Sequence, residues 1–369
     1  MGRISVRWLV PVGIAAVVLG AGAATSAIHA STGGLAPRTA AELLVDLETT
    51  QLGAGTGTLV EHADLGIPAL PVGVGGDGSA QFDSLIAGSH TLRIWYDGPQ
   101  RERVALIGTL GESDIIHNDS DLWIWASSGN KFTHVTIPSS PATARPTTAP
   151  SPMPITPSAA AATILAKLAP STSVTSGRTT TVAGRSAYNL VIAPKDPASL
   201  IGSVRIAIDG QEHVPLRVQI FAKGDAKPAF EVGFSQINFD KPDPSTFEFN
   251  PPPNPSARPL GSGLTGITTS PHAGSGSAVA PTVIGSGWTA ILGGPMPFTD
   301  NGPAGQGDSV IDAVAKALPT VHGPWGTGKV LQTKLFSVLL TSDEHVYLGP
   351  VDSSRLLAEV TTALTPTGK

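Results

Sequence analysis

Apolar and polar residues alternate along most of this chain. Between residues 91 and 97, Leu92, Ile94 and Tyr96 fall on one side of an extended segment, and Arg93 and Asp97 on the other. The same period of two recurs with Leu122, Ile124 and Ala126, with Leu216, Val218 and Ile220, and with Phe230, Val232 and Phe234. Such alternation is the signature of a strand with one dry and one wet face. It predicts strands over 57–62, 91–97, 103–108, 112–117, 121–126 and 131–137, then over 179–183, 186–192, 203–208, 215–222, 230–239 and 246–249. The separators are turn-forming: Asp97-Gly98-Pro99, Asn118-Asp119-Ser120, Ser128-Gly129-Asn130 and Asp209-Gly210. Short turns at this spacing imply an antiparallel meander.

Helical spacing is rarer. Ala40, Leu43, Leu44 and Leu47 share one face behind a candidate N-cap, Thr39, and a second helix is expected over 159–168. Towards the C-terminus the pattern changes to strand 282–292, helix 309–318, strands 329–341 and 345–348, and helix 353–364. The fold class is therefore α+β: a large antiparallel sheet with few helices on one face, followed by a small α/β unit.

Composition sets the boundaries. Gly (42) and Pro (33) make up about a fifth of the 369 residues. Seven prolines lie between Pro138 and Pro157, and 254–281 is rich in Gly, Ser and Pro. Neither stretch can build a core. The expected organisation is an N-terminal targeting segment at 1–34, a sheet domain at 35–253 carrying the Pro-rich insertion 138–157, a linker at 254–281, and a small domain at 282–365. Arg3 and Arg7 precede an uncharged apolar run from Trp8 to Ala24. A basic flank stays on the cytoplasmic side, so the remainder is expected to be extracytoplasmic. The segment is either cleaved, giving a secreted protein, or kept as a membrane-anchoring helix.

Charge and chemistry exclude several classes. The net charge is −5, and −7 without residues 1–30, with no basic cluster, so no nucleic-acid partner is expected. The absence of cysteine removes disulfides, thiolate metal sites and a Cys nucleophile. The run Gly323 to Lys329 comes close to a phosphate-binding loop, but Val330 stands where magnesium needs a hydroxyl. The nine histidines lack ligand spacing, and no hydrolase motif occurs. No cofactor, no metal and no enzymatic activity are expected.

The apolar face of the sheet is the informative feature. Few helices are available to cover it, so it is either an ordinary packed core or a groove for an acyl chain or hydrophobic peptide. The residues on it are Leu92, Ile94, Leu122, Ile124, Leu216, Val218, Ile220 and Phe234. Trp95, Trp123 and Trp125 fall on the opposite, nominally wet face, where a partner surface and local cover by another segment are both open readings.

Three segments carry a family resemblance. The first is Leu92-Arg93-Ile94-Trp95-Tyr96-Asp97-Gly98-Pro99 with Arg101 and Arg103. The second is Asp121-Leu122-Trp123-Ile124-Trp125 followed by Asn130-Lys131-Phe132-Thr133. The third is Pro215-Leu216-Arg217-Val218 together with the exit from Phe239 through Phe247-Glu248-Phe249 to Pro252. Over about 38–253 the chain resembles the LolA-like lipoprotein carriers, particularly actinobacterial members. The resemblance implies a curved, unclosed half-barrel with helices on its concave face. It also implies binding of lipids or lipidated proteins in that cavity. Related domains sense envelope stress, which implies the alternative of a sensor or scaffold engaging an envelope protein without lipid cargo. The Pro-rich insertion and the extra C-terminal unit depart from the minimal carrier.

Overall fold

A computed structural model describes residues 34–50, 52–67, 79–137, 170–257, 282–295 and 318–365. The expected N-terminal apolar run, the Pro-rich insertion, the helix at 159–168, most of the linker and nearly all of the helix at 309–318 lie outside the described residues.

The chain enters through helix α1 (Ala40–Thr49). Thr39 and Glu42 form a capping box: the Glu42 amide donates to Thr39 Oγ1 at 3.2 Å and the Thr39 amide to Glu42 Oε2 at 2.8 Å. The strands of the large sheet then follow as β1 (Ala54–Ala63), β2 (Gly88–Asp97), β3 (Arg101–Ile107), β4 (Glu112–Asn118), β5 (Asp121–Ala126) and β6 (Lys131–Thr136). They continue as β7 (Thr172–Ser176), β8 (Thr180–Val182), β9 (Arg185–Pro194), β10 (Ile201–Asp209), β11 (Pro215–Ala222), β12 (Pro228–Asn238) and the short β13 (Ser256–Ala257). They form one 13-stranded sheet in the order β13-β6-β5-β4-β3-β2-β1-β12-β11-β10-β9-β7, with β8 paired to β9. The sheet is curved and unclosed, as expected. Two meanders, β1–β6 and β9–β12, join where β1 pairs with β12. Gly57 is needed at that seam. A Cβ there would lie 2.5 Å from the Phe234 ring, so the missing side chain makes room for the aromatic on the inner face.

The sheet's inner face carries the core. Leu59, Leu92, Ile94, Leu106, Leu216 and Phe234 form one buried cluster. Leu43 and Leu44 of α1 close a second with Leu190, Ile206, Ile208 and Val218.

Three local expectations need correction. Residues 246–249 are not a strand. Pro244–Phe247 forms a 3-10 turn, capped by the Asp243 side chain accepting from the Ser245 amide at 2.9 Å. The predicted strand 282–292 splits into β14 (Thr282–Ile284) and β15 (Ile291–Pro295), because Gly285 and Gly287 take φ values of +77° and +65°. The predicted strand 329–341 is the hairpin β17 (Gly326–Gln332) and β18 (Ser337–Thr341). Thr333 Oγ1 fixes its turn by accepting from the Leu335 and Phe336 amides.

With β16 (Thr320–Gly323) and β19 (His345–Gly349) these strands form a six-stranded sheet, ordered β14-β15-β19-β18-β17-β16. Helix α2 (Ser353–Leu364) packs Leu356 and Val360 against Ile291, Leu339 and Tyr347. This unit docks on the large sheet. Leu335 is buried with Ala63, Leu65, Ile220 and Phe230, Lys334 pairs with Asp64 at 2.6 Å, and the Leu200 amide donates to Pro350 O at 2.8 Å.

The segment after β12 covers the outer face of β3–β6. Phe247 is fully buried there. Trp123 is stacked between Phe249, at 4.4 Å, and His134, at 3.8 Å. Asn130 Nδ2 donates to Pro253 O at 3.1 Å, and β13 pairs with β6. Trp123, on the nominally wet side, thus has local cover. Phe247→Ala is expected to cost about 3 kcal/mol and to shift Trp123 emission to the red. Denaturant unfolding followed by Trp fluorescence measures both, and an unchanged midpoint would reject the anchoring role.

Candidate ligand-binding face

Residues paired across antiparallel strands share a face. Register therefore gives three inner rows across β2–β6. They are Leu92–Leu106–Ser113–Ala126–Lys131, then Ile94–Val104–Ile115–Ile124–Thr133, then Tyr96–Glu102–His117–Leu122–Val135. Burial changes along each row. Leu92, Ile94, Tyr96 and Leu106 are buried, whereas Val104, Ile115, Leu122, Ile124 and Val135 are half-buried. The described helical turns pack elsewhere: α1 on β7 and β9, Phe82–Ile86 on β1 and β2, and Pro244–Phe247 on β3 and β4 from the outer side. Among the described residues, no helix covers the inner face of β4–β6.

The eight residues singled out from the sequence separate accordingly. Leu92, Ile94, Leu216 and Phe234 share one buried cluster, Val218 lies with α1, and Ile220 lies against the C-terminal unit. Leu122 and Ile124 are half-buried and stand at the end that no described helix covers.

Alternation did not single out the polar residues of this face. Glu61 of β1 is in phase with Leu59, and His90 of β2 is in phase with Leu92. The two residues pair across the strands and are 3% exposed each. Ser84 Oγ lies 2.6 Å from Gln81 O, and a carbonyl can only accept, so the hydroxyl proton points there. His90 Nε2, at 3.0 Å, must then donate to Ser84 Oγ. His90 Nδ1 and Glu61 Oε2, 2.9 Å apart, share one remaining proton. Burial pushes the Glu61 carboxyl up to about 8, so near neutrality the proton sits on this pair and the site carries no net charge. The distances match those of a Ser–His–carboxylate triad. The hydroxyl is nevertheless committed to Gln81, so the set ties the 3-10 helix Phe82–Ile86 to the sheet rather than activating a nucleophile.

Glu102 is the second carboxyl on this face, in phase with Val104 and Leu106, and burial pushes it up to about 7. A carboxylate interrupting an apolar phase was the one available signal in the sequence for both Glu61 and Glu102.

The outer face offers different chemistry. A cleft of about 190 Å³ at the β1–β2–β12 seam is lined by Thr56, Thr58, Arg93, Trp95, Gln236 and Asn238. The guanidinium groups of Arg93 and Arg103 lie 5.0 and 5.1 Å from the Trp95 ring. The Gly-rich run from Gly323 is the β16–β17 turn, and Lys329 Nζ donates to Leu318 O and Thr320 Oγ1 rather than facing a loop. Among the described residues no group of three His, Asp or Glu is placed to hold a metal, and no helix is long and apolar enough to cross a membrane.

No family model and no curated protein matches this chain. Among solved structures it is similar to the complex of Pseudomonas aeruginosa MucA and MucB, at 14% identity and a TM-score of 0.43, over 87% of this chain and 96% of that one. It is also similar to a LolA superfamily protein from Nitrosomonas europaea, at 10% identity and a TM-score of 0.22, over 58% and 99%. A third is a putative outer membrane lipoprotein-sorting protein domain from Vibrio parahaemolyticus, at 10% and 0.22, over 56% and 95%. The solved structures to which the chain is similar thus include members of the LolA superfamily, the group its strand signatures resemble.

Proposed function

We propose that this protein is a non-enzymatic, extracytoplasmic binding protein that holds a lipid or a lipidated protein against the inner face of its large sheet. One observation carries the reading. The apolar rows run from a packed core at β2 to β4–β6, where Ile115, Leu122, Ile124 and Val135 are half-buried, Ser113 and Thr133 are buried, and no described helix lies over them. The driving term is apolar burial, about 0.8 kcal/mol per buried methylene, before the costs of ordering the complex. The N-terminal basic and apolar sequence supports placement outside the cytoplasm, anchored or secreted.

A second reading is a sensor or scaffold that engages an envelope protein and carries no lipid. The tight packing of Leu92, Ile94, Leu216, Val218, Ile220 and Phe234 favours it, since six of the eight apolar positions already have partners.

Mass spectrometry of an organic extract of the purified protein separates the two. Stoichiometric lipid supports the first reading, and a lipid-free protein indifferent to acyl probes supports the second. Ile124→Asp places a charge on this half-buried surface without opening the core. It is expected to weaken binding of a fluorescent acyl probe by at least about tenfold, with far-UV circular dichroism unchanged. Full retention of binding in the folded variant would reject this face.

A further inference from the structure

Glu102 is an odd residue to find in an apolar row. It lies between Tyr96 and His117 across the strands, with Val104 next in phase along β3 and Leu122 beyond His117. Among the described residues its carboxyl has neither a hydrogen bond nor an ion pair. The nearby cations are engaged elsewhere: Arg101 with Asp97 at 3.0 Å, Lys241 with Asp97 at 3.2 Å, and Arg103 with Asp114 at 2.6 Å. His117 Nε2 donates to Asp119 O at 2.9 Å, which leaves Nδ1 without a proton in the neutral ring. Burial raises the carboxyl, and the carboxyl in turn helps burial raise the phenol of Tyr96 across the strand pair. A half-buried carboxyl without a donor is costly in an apolar surface, and a ligand that supplies a charged donor removes that cost.

We propose that the half-buried inner face of β3–β5 takes a cationic amphiphile, whose aliphatic chain lies along Val104, Ile115, Ile124 and Leu122 and whose ammonium head meets the Glu102 carboxylate. The inference rests on the binding role proposed above and specifies the head group. Charge complementarity at Glu102 selects the occupant: Lys131, the cation on this face, stands in the first row at β6, whereas Glu102 stands in the third row at β3. An anionic head would be repelled by Glu102, and an uncharged one would leave it without its countercharge.

The test uses the purified protein and three single-chain probes below their micelle concentrations: dodecylammonium, dodecyl sulfate and dodecyl maltoside. Isothermal titration reads their affinities for the wild type, for Glu102→Gln and for Leu122→Lys. Dodecylammonium is expected to bind about tenfold more tightly than the other two, the worth of one charge-assisted hydrogen bond. Glu102→Gln, isosteric with the protonated side chain, should erase that preference. Leu122→Lys, in the same row, should reverse the order of the ammonium and the sulfate. Equal affinity for all three probes, or a preference that survives Glu102→Gln, overturns the ammonium assignment while leaving an apolar binding face standing. Failure of all three to bind overturns both.

Discussion

Glu61→Gln gains stability on the wild type as the pH rises from about 5 to 8, by up to about 1.4 kcal/mol per pH unit. In the folded chain the Glu61 carboxyl holds its proton up to about 8, against an ordinary value of 4.5. Between those values the folded state binds a proton that the unfolded state has released. Stability from this group is therefore fully present below the ordinary carboxyl value and is lost as the pH climbs towards 8. Above 8 the penalty is constant. The Gln amide can donate to His90 Nδ1 as the protonated carboxyl does, so the bond to His90 and onward to Ser84 is kept, but nothing titrates. Asp114, pushed up to about 6 mainly by burial, and Glu102 slope the same way in both proteins and cancel in the comparison. Urea unfolding of the pair at four pH values reads the effect. Parallel curves would show that Glu61 is ionised in the native state and that the shared-proton arrangement is wrong.

Arg185→Ala should destabilise the fold by about 3–5 kcal/mol at neutral pH. Asp209 is 1% exposed at the β10–β11 turn. Arg185 grips both its carboxylate oxygens, and the Gln211 and Glu212 amides each donate to Oδ1 at 2.8 Å. The guanidinium also lies 4.8 Å from the Phe239 ring, so it ties β9 to the chain leaving β12. Burial by itself would raise the Asp209 pKa. The guanidinium and the two amides more than offset it and hold the group below its ordinary value. Its stabilisation is therefore present above the ordinary Asp range and is lost as the pH falls through the depressed value. Removing Arg185 leaves a buried charge with only the amides, so the deficit should shrink in acid, where Asp209 can protonate. Thermal unfolding at pH 7 and pH 3 tests this. A loss under 1 kcal/mol at pH 7, or one that does not shrink at pH 3, would mean that the amides alone suffice.

Much of the local structure could be read from the chain. Thr39 and Glu42 mark the start of α1, the turn residues bound the strands, and strict alternation assigned Leu92, Ile94, Leu122, Ile124, Leu216, Val218, Ile220 and Phe234 to one face. These are short-range properties: a period of two fixes which side of a strand a residue occupies, whatever that strand later pairs with. Where the local chemistry was read incompletely the expectation failed, as at Gly285 and Gly287, whose left-handed backbone breaks a strand, and at Pro244, which begins a turn.

The sequence by itself determined which residues share a face of the sheet. Only the tertiary structure decided what each face meets. The pairing of β1 with β12 joins segments far apart in the chain, and no periodicity encodes a partner. The return of residues 244–257 over β3–β6 set Phe249 against Trp123 and gave a nominally exposed tryptophan a stacked partner, while on the other side of the same strand Leu122 and Ile124 lie half-buried. Glu61 and His90 are two unremarkable polar residues until strand register sets them 2.9 Å apart. Burial is a property of neighbours, and most of the neighbours here come from elsewhere in the chain.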